Sequence, residues 1–207
     1  MFCVLTQIAY QLHGDPDHPT ILLIHGLSTP LTGWPVLFVE HLVKAGYQVL
    51  LLDNRDSGRS DIFDHASFPN VLWALLKLKL GLRVKTPYTL EDMMKDTVAL
   101  LDYLKLDKVH VVGASMGGMI AQLLSIHHPE RVMSLCSIMS TTGTKKLPAI
   151  HKDVRDVVMR KPASTSDADI KQYHMDKWRA IGSPAYPARD EYLNTYVDSM
   201  LARGTSP

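Results

Sequence analysis

The run Gly113-Ala114-Ser115-Met116-Gly117-Gly118 sets one serine between glycines two positions to either side. G-x-S-x-G suits nucleophilic acyl chemistry, because a serine hydroxyl attacks a carbonyl only when it is presented in the open to a base and a substrate. A strand-to-helix turn sharp enough to present Ser115 forces backbones together, and Gly113 and Gly117 supply the room. The Met116 N–H, at the start of the helix, can then face a developing oxyanion. The pattern therefore nominates Ser115 as nucleophile, Met116 as an oxyanion donor, and Gly113 and Gly117 as the elbow glycines. A glycine-flanked serine in an ordinary tight turn is the competing reading, and the run alone does not exclude it.

The elements that must position these residues surround them. Residues 108–112 are a short strand rich in β-branched side chains, and residues 119–124 read as helix. Two further buried-type strands end in polar loops: residues 20–24 run into His25-Gly26-Leu27-Ser28, and residues 47–52 into Asp53-Asn54-Arg55-Asp56-Ser57-Gly58-Arg59-Ser60. Strand plus H-G, strand plus D-x-R-x-x-G-x-S, then G-x-S-x-G-G is an order of motifs that resembles the α/β-hydrolase superfamily. The wording of residues 53–60, 113–122 and 128–132 is most similar to a serine-esterase branch that includes the aclacinomycin methylesterases.

That resemblance implies an α/β-hydrolase fold, a mostly parallel sheet with flanking helices, acting on a small-molecule ester with no cofactor and no metal. It also implies a second oxyanion donor just after the H-G pair, which falls on Leu27, with Ser28 as the alternative. His25 reads as a residue that stabilises its loop rather than as a proton carrier. Serine at the elbow argues against epoxide hydrolase and haloalkane dehalogenase chemistry, where aspartate attacks. Cofactor-free haloperoxidase and peptidase relatives share the motif and stay open.

At 207 residues, 46% hydrophobic, the chain can bury one sizeable core. A formal net charge of +1 gives no electrostatic case for nucleic acid or an acidic membrane. Cys3 and Cys136, far apart in apolar surroundings, read as buried thiols of a reducing compartment rather than a disulfide framework. Met1 to Gln7 has neither a basic start nor a long apolar run, so the expected location is cytoplasmic.

Along the chain, residues 3–12 alternate as a strand, ending at the turn cluster Gly14 to Pro19, with an edge left incomplete at its beginning. Trp34 to Ala45 is helical, with Val36, Val39, Leu42 and Val43 packing on the sheet and Gly46 as stop. The charged loop after Leu52 could be a phosphate or substrate clamp, but internal ion pairs and turns account for it more simply. Residues 69–82 are nearly all apolar yet only fourteen long, too short to span a bilayer, and read as a covering helix, with a membrane-surface helix as the alternative. Thr89 caps a helix carrying Met93, Val98, Leu101 and Leu104. His127 and His128 diverge on a helix end and read as a polar pair, not metal ligands. Residues 132–139 form the next strand.

From Thr144 the pattern is helical only: residues 148–159, 167–181 and 189–201, punctuated by Pro162, Gly182, Pro184 and Pro187. The expected division is residues 1–143 as the N-terminal part of the hydrolase core and residues 144–207 as a helical cap. His174, Met175, Trp178, Tyr186 and Tyr192 could line a pocket or form the cap's own small core. The resemblance also implies an acid and a histidine after later strands, and no such segments occur in these 207 residues. The expectation is a fold incomplete on its C-terminal side, possessing the nucleophile without its base, and prone to self-association through an open sheet edge. The opposing class is a non-catalytic truncated or binding form. Substitution of His151 or His174 for the absent base is the remaining route to turnover.

Overall fold

The computed structural model describes residues 6–63, 77, 80, 82, 84–144, 147, 151–158 and 160–204. Their centre is two strands, β2 (Thr20–Ile24) and β3 (Gln48–Leu52), in which every residue is buried. Both are nearly continuous apolar runs, as strands covered on two faces must be. Alternate side chains go to opposite faces. Leu22, Ile24, Leu50 and Leu52 join one core cluster, while Ile21, Leu23, Val49 and Leu51 join the other.

Five strands make one sheet in the order β1-β3-β2-β4-β5. β4 (Val109–Ala114) runs parallel to β2, with Ile24 opposite Gly113, so the loops leaving β2 and β4 emerge side by side. β5 (Val132–Ile138) runs parallel to β4 at one edge. β1 (Tyr10–His13) pairs antiparallel with β3 at the other. The strand expected from residue 3 is thus short and late, and Cys3 lies outside the described residues, as does most of the apolar segment 69–82.

α1 (Val36–Lys44) covers one face of the sheet, and α2 (Leu90–Tyr103) with α3 (Met116–His127) covers the other. α1 begins two residues later than its periodicity suggests, because a 3-10 turn (Leu31–Gly33) precedes it and Pro35 sits at its N-cap. Val39 is buried and Leu42 and Val43 are partly so, but Val36 is 71% exposed, which corrects its expected place in the stripe. It falls in the first turn, before the helix has closed on the sheet. α2 opens on a full capping box: Thr89 Oγ1 accepts the Asp92 N–H while the Asp92 carboxylate accepts the Thr89 N–H.

Cys136 is exposed, against the expectation of a buried thiol. The reason is the position of its strand. Among the described residues β5 has a strand neighbour on one side only, and residues 133–138 are all exposed.

After residue 143 the described elements are helices: α4 (Lys152–Val158), α5 (Asp167–Ile181) and α6 (Asp190–Arg203). α5 and α6 share a small core of Met175, Leu193, Val197 and Met200, and Trp178 packs against it. α6 also docks on the sheet layer. The Tyr196 hydroxyl donates to the Gly33 carbonyl at 2.6 Å, Thr32 Oγ1 to the Ser199 carbonyl at 3.2 Å, and Arg203 Nε reaches both oxygens of the fully buried Asp53 at 2.9 and 3.2 Å.

Candidate active site

Ser115 sits at the turn from β4 into α3 with φ 54° and ψ −120°. A residue with a Cβ rarely adopts this conformation, at a cost on the order of 1–3 kcal/mol, and it persists only where the surroundings over-determine it. Here they do. A Cβ on Gly113 would overlap the Gly117 backbone, and one on Gly117 would overlap the carbonyls of Ile24 and His25. The Ser115 N–H extends the ladder to the Ile138 carbonyl at 3.0 Å, and its own carbonyl accepts from Gly118 N–H at 3.0 Å and Ser140 Oγ at 2.8 Å. The backbone is therefore pinned while the side chain stays exposed.

The H-G loop lies directly against this turn: a Cβ on Gly26 would stand 3.1 Å from Ser115 Cβ and 3.5 Å from its Oγ. His25 is next door but both its nitrogens are occupied. Its Nδ1 accepts the Gly26 N–H at 2.7 Å, so its Nε2–H donates to the Gly33 carbonyl at 3.1 Å. Burial pushes its pKa down to about 4, with the Lys177 charge adding to the shift. A neutral ring with no free nitrogen organises the loop and has none left to take a proton from serine.

Leu27 and Met116 line one cavity of about 600 Å³, together with the loop after β3 and the start of α2. Among the described residues neither backbone N–H is spent on a hydrogen bond. That is what an oxyanion site requires: fixed donors with no internal acceptor. Ser28, the alternative donor, carries φ 51° and lines the same cavity.

The loop after β3 is tied down internally. Asp53 accepts the N–H groups of Leu31 at 2.6 Å and Arg59 at 3.0 Å, and Asn54 Nδ2 donates to the His25 carbonyl at 3.0 Å. Arg55 pairs through Nε and Nη2 with the two carboxylate oxygens of Asp96, each at 2.7 Å. Asp56 takes the Tyr88 hydroxyl and the Phe63 N–H.

Sequence reasoning missed Asp96, Tyr88 and Ser140, which touch the loop or the elbow from remote segments. Only Asp96 had a local signal, since it stands one helical turn beyond the capping Asp92. The two histidines weighed as substitute bases lie elsewhere. His151 is exposed, 3.5 Å from Asp153, and His174 is buried in α5 against the Tyr173 ring, its pKa lowered by that burial. Among the described residues no imidazole or carboxylate is hydrogen-bonded to Ser115 Oγ.

A family model described as alpha/beta hydrolase fold matches residues 19–173. Rhodomycin D methylesterase DauP from Streptomyces sp. (strain C5) is 29% identical over 193 residues, covering 84% of this chain and 58% of that protein. A 2-hydroxy-6-oxononadienedioate/2-hydroxy-6-oxononatrienedioate hydrolase from Klebsiella pneumoniae is 29% identical over 198 residues, covering 88% of this chain and 61% of its own. Among solved structures, a hydrolase from Pseudomonas aeruginosa PA01 superposes with a TM-score of 0.61 at 21% identity, covering 97% of this chain and 64% of that one, which speaks to the fold alone. The chain thus spans 58% and 61% of the lengths of these two curated relatives.

Proposed function

The chain belongs to the α/β-hydrolase fold family, and from that premise we propose that it is a serine hydrolase of the carboxylic-ester type. Ser115 is its nucleophile, Leu27 and Met116 are its oxyanion donors, and Gly113 and Gly117 make the elbow. The observation that carries this reading is the strained backbone of Ser115, φ 54° and ψ −120°, held beside two unspent N–H groups on one cavity. Strain at a non-glycine residue with an exposed hydroxyl is hard to account for by packing alone. The similarity to a methylesterase and to a dienedioate hydrolase supports small-molecule carbonyl substrates. Residues 1–143 supply the core in this proposal and residues 144–207 the cap.

One observation favours a second reading, a form of the fold that binds without efficient turnover: no described base meets Ser115 Oγ. A serine lacking its base retains only the oxyanion and binding contributions to rate. Two measurements separate these readings. A fluorophosphonate should add once to the folded chain, at Ser115, with Ser115→Ala unlabelled, and a folded chain bearing no adduct by intact mass removes Ser115 as nucleophile. Hydrolysis of p-nitrophenyl acetate by these 207 residues, abolished by His174→Ala or His151→Ala, would establish a substitute base. Absence of turnover supports the binding form. The exposed edge of β5 completes the proposal as a surface for self-association, and the location proposed is cytoplasmic.

A further inference from the structure

The peptide unit joining Ser115 to Met116 carries at one end the N–H proposed as an oxyanion donor and at the other the Ser115 carbonyl. Within α3 that carbonyl accepts the Gly118 N–H at 3.0 Å and the Met119 N–H at 3.4 Å, as the first carbonyl of a helix does. It also accepts the Ser140 Oγ–H at 2.8 Å, a donor brought from beyond β5, twenty-five residues away.

The segment leaving β5 therefore grips Ser115 twice. The Ile138 carbonyl accepts the Ser115 N–H at 3.0 Å, and two residues on Ser140 returns a donor to the Ser115 carbonyl. Met139 between them stands at φ 39°, in the left-handed region that a residue with a Cβ seldom enters. Gln122, further along α3, ties the same segment to the helix, its Nε2 donating to Ser137 Oγ at 3.2 Å and to the Thr141 carbonyl at 3.5 Å. Gly118 admits the approach: a Cβ there would stand 2.6 Å from both the Cβ and the Oγ of Ser140. The last glycine of G-x-S-x-G-G thus makes room for Ser140, which the elbow turn alone does not require.

We propose that Ser140 is a positioning residue for the oxyanion site, holding the Ser115–Met116 peptide by its carbonyl so that the Met116 N–H is fixed in direction and polarised. The inference rests on the serine-hydrolase reading and deepens it. In a planar trans peptide the C=O and N–H point opposite ways, so a bond that fixes the first fixes the second. A donor on the carbonyl oxygen also draws electron density from the amide and strengthens its N–H as a donor, by on the order of 10–30% per bond in a hydrogen-bonded chain. A donor fixed beforehand needs no reorientation when charge develops. Ser140 acts through this peptide and not on the substrate.

The full chain, isotope-labelled at its methionine amides and with the Met116 signal assigned by its loss in Met116→Leu, makes the test. Ser140→Ala should move the Met116 amide proton upfield, as weakening of a donor does, and Ser140→Thr, which keeps the hydroxyl, should restore most of the shift. In fluorophosphonate labelling of Ser115, Ser140→Ala should lower the maximal rate about fivefold and leave the half-saturating concentration within about twofold. That loss is far smaller than the roughly hundredfold cost of deleting an oxyanion donor outright. Ser140→Thr should recover the rate. Gly118→Ala, which displaces Ser140 with its hydroxyl intact, should reproduce both changes.

An unmoved Met116 amide in folded Ser140→Ala overturns the inference, as does a maximal labelling rate equal to the parent's. A change in the half-saturating concentration alone also overturns it, because that is an effect on binding. Should Ser140→Ala fail to fold, Gly118→Ala decides by the same two readouts. A parent chain that takes no adduct sinks the serine-hydrolase reading and the oxyanion role with it, whereas an adduct with an unmoved amide sinks the positioning role alone.

Discussion

Ser115 holds its hydroxyl in the open at the expense of its own backbone. Because φ 54° and ψ −120° suit glycine far better than serine, Ser115→Gly should stabilise the fold even as it removes the hydroxyl proposed as nucleophile. Relief of strain, less the extra chain entropy of glycine, leaves a net gain of about 1 kcal/mol. Ser115→Ala keeps the strain and should change stability little. Urea denaturation of the pair checks this, and equal midpoints would show that the turn is not strained. His25 carries a second residue-scale consequence. Its pKa falls from 6.5 in the unfolded chain to about 4 when buried, so between those values the unfolded chain holds a proton the folded one does not. Stability should therefore decline as pH drops from about 6.5 towards 4, by up to about 3 kcal/mol, and level off below. His174, shifted the same way by burial, adds to the decline. His25→Gln should flatten the pH profile of the urea midpoint; an unaltered slope would clear His25 of the effect.

Among the elements, β2 and β4 make the site by standing next to each other, with the H-G loop and the elbow leaving the same end of the sheet. α6 is the less obvious contributor. Three of its residues reach the loop that follows His25 or the Asp53 that holds it: Tyr196 at Gly33, Ser199 at Thr32, Arg203 at Asp53. Asp53 is fully buried and Arg203 is its one cationic partner among the described residues. Removing one member of a buried ion pair strands the other, so Arg203→Met should cost about 3 kcal/mol. The same variant should loosen the Leu27 amide, seen as faster hydrogen exchange from residue 26 to residue 33. A stability loss below about 0.5 kcal/mol with unchanged exchange would make this contact incidental.

For the molecule as a whole, the sheet is sealed in the middle and open at its side. Met133, Leu135 and Ile138 on β5 and Met139 beyond it are 38–60% exposed on a strand paired on one side only among the described residues. A seven-residue edge without lysine or proline is a template for further strand pairing. Sedimentation velocity should therefore show association that grows with concentration, and Leu135→Lys should shift the population towards monomer. A monodisperse monomer with one cooperative unfolding transition would contradict this.

Much of this architecture follows from local sequence because its signals are local. Apolar runs of five residues bounded by turn residues read as doubly covered strands, Thr89-x-x-Asp92 read as a helix start, and helical periodicity gave the bounds of α5 as residues 167–181. The family resemblance and the candidates Ser115, Met116, Leu27, Gly113 and Gly117 came from the same short-range patterns. What needed the tertiary structure was everything that depends on which strands lie side by side. Strand order left Cys136 exposed on an edge, although its apolar neighbours resemble a core. Long-range packing brought Asp96 to Arg55, Tyr88 to Asp56 and Arg203 to Asp53, across sequence separations that carry no periodic signal. It also left the Ser57 hydroxyl buried without a hydrogen-bond partner among the described residues. Which residues could attack an ester was a matter of spacing along the chain. Which charges remain free to meet a substrate is decided by contacts between segments remote in sequence, and these exist only after the sheet has formed.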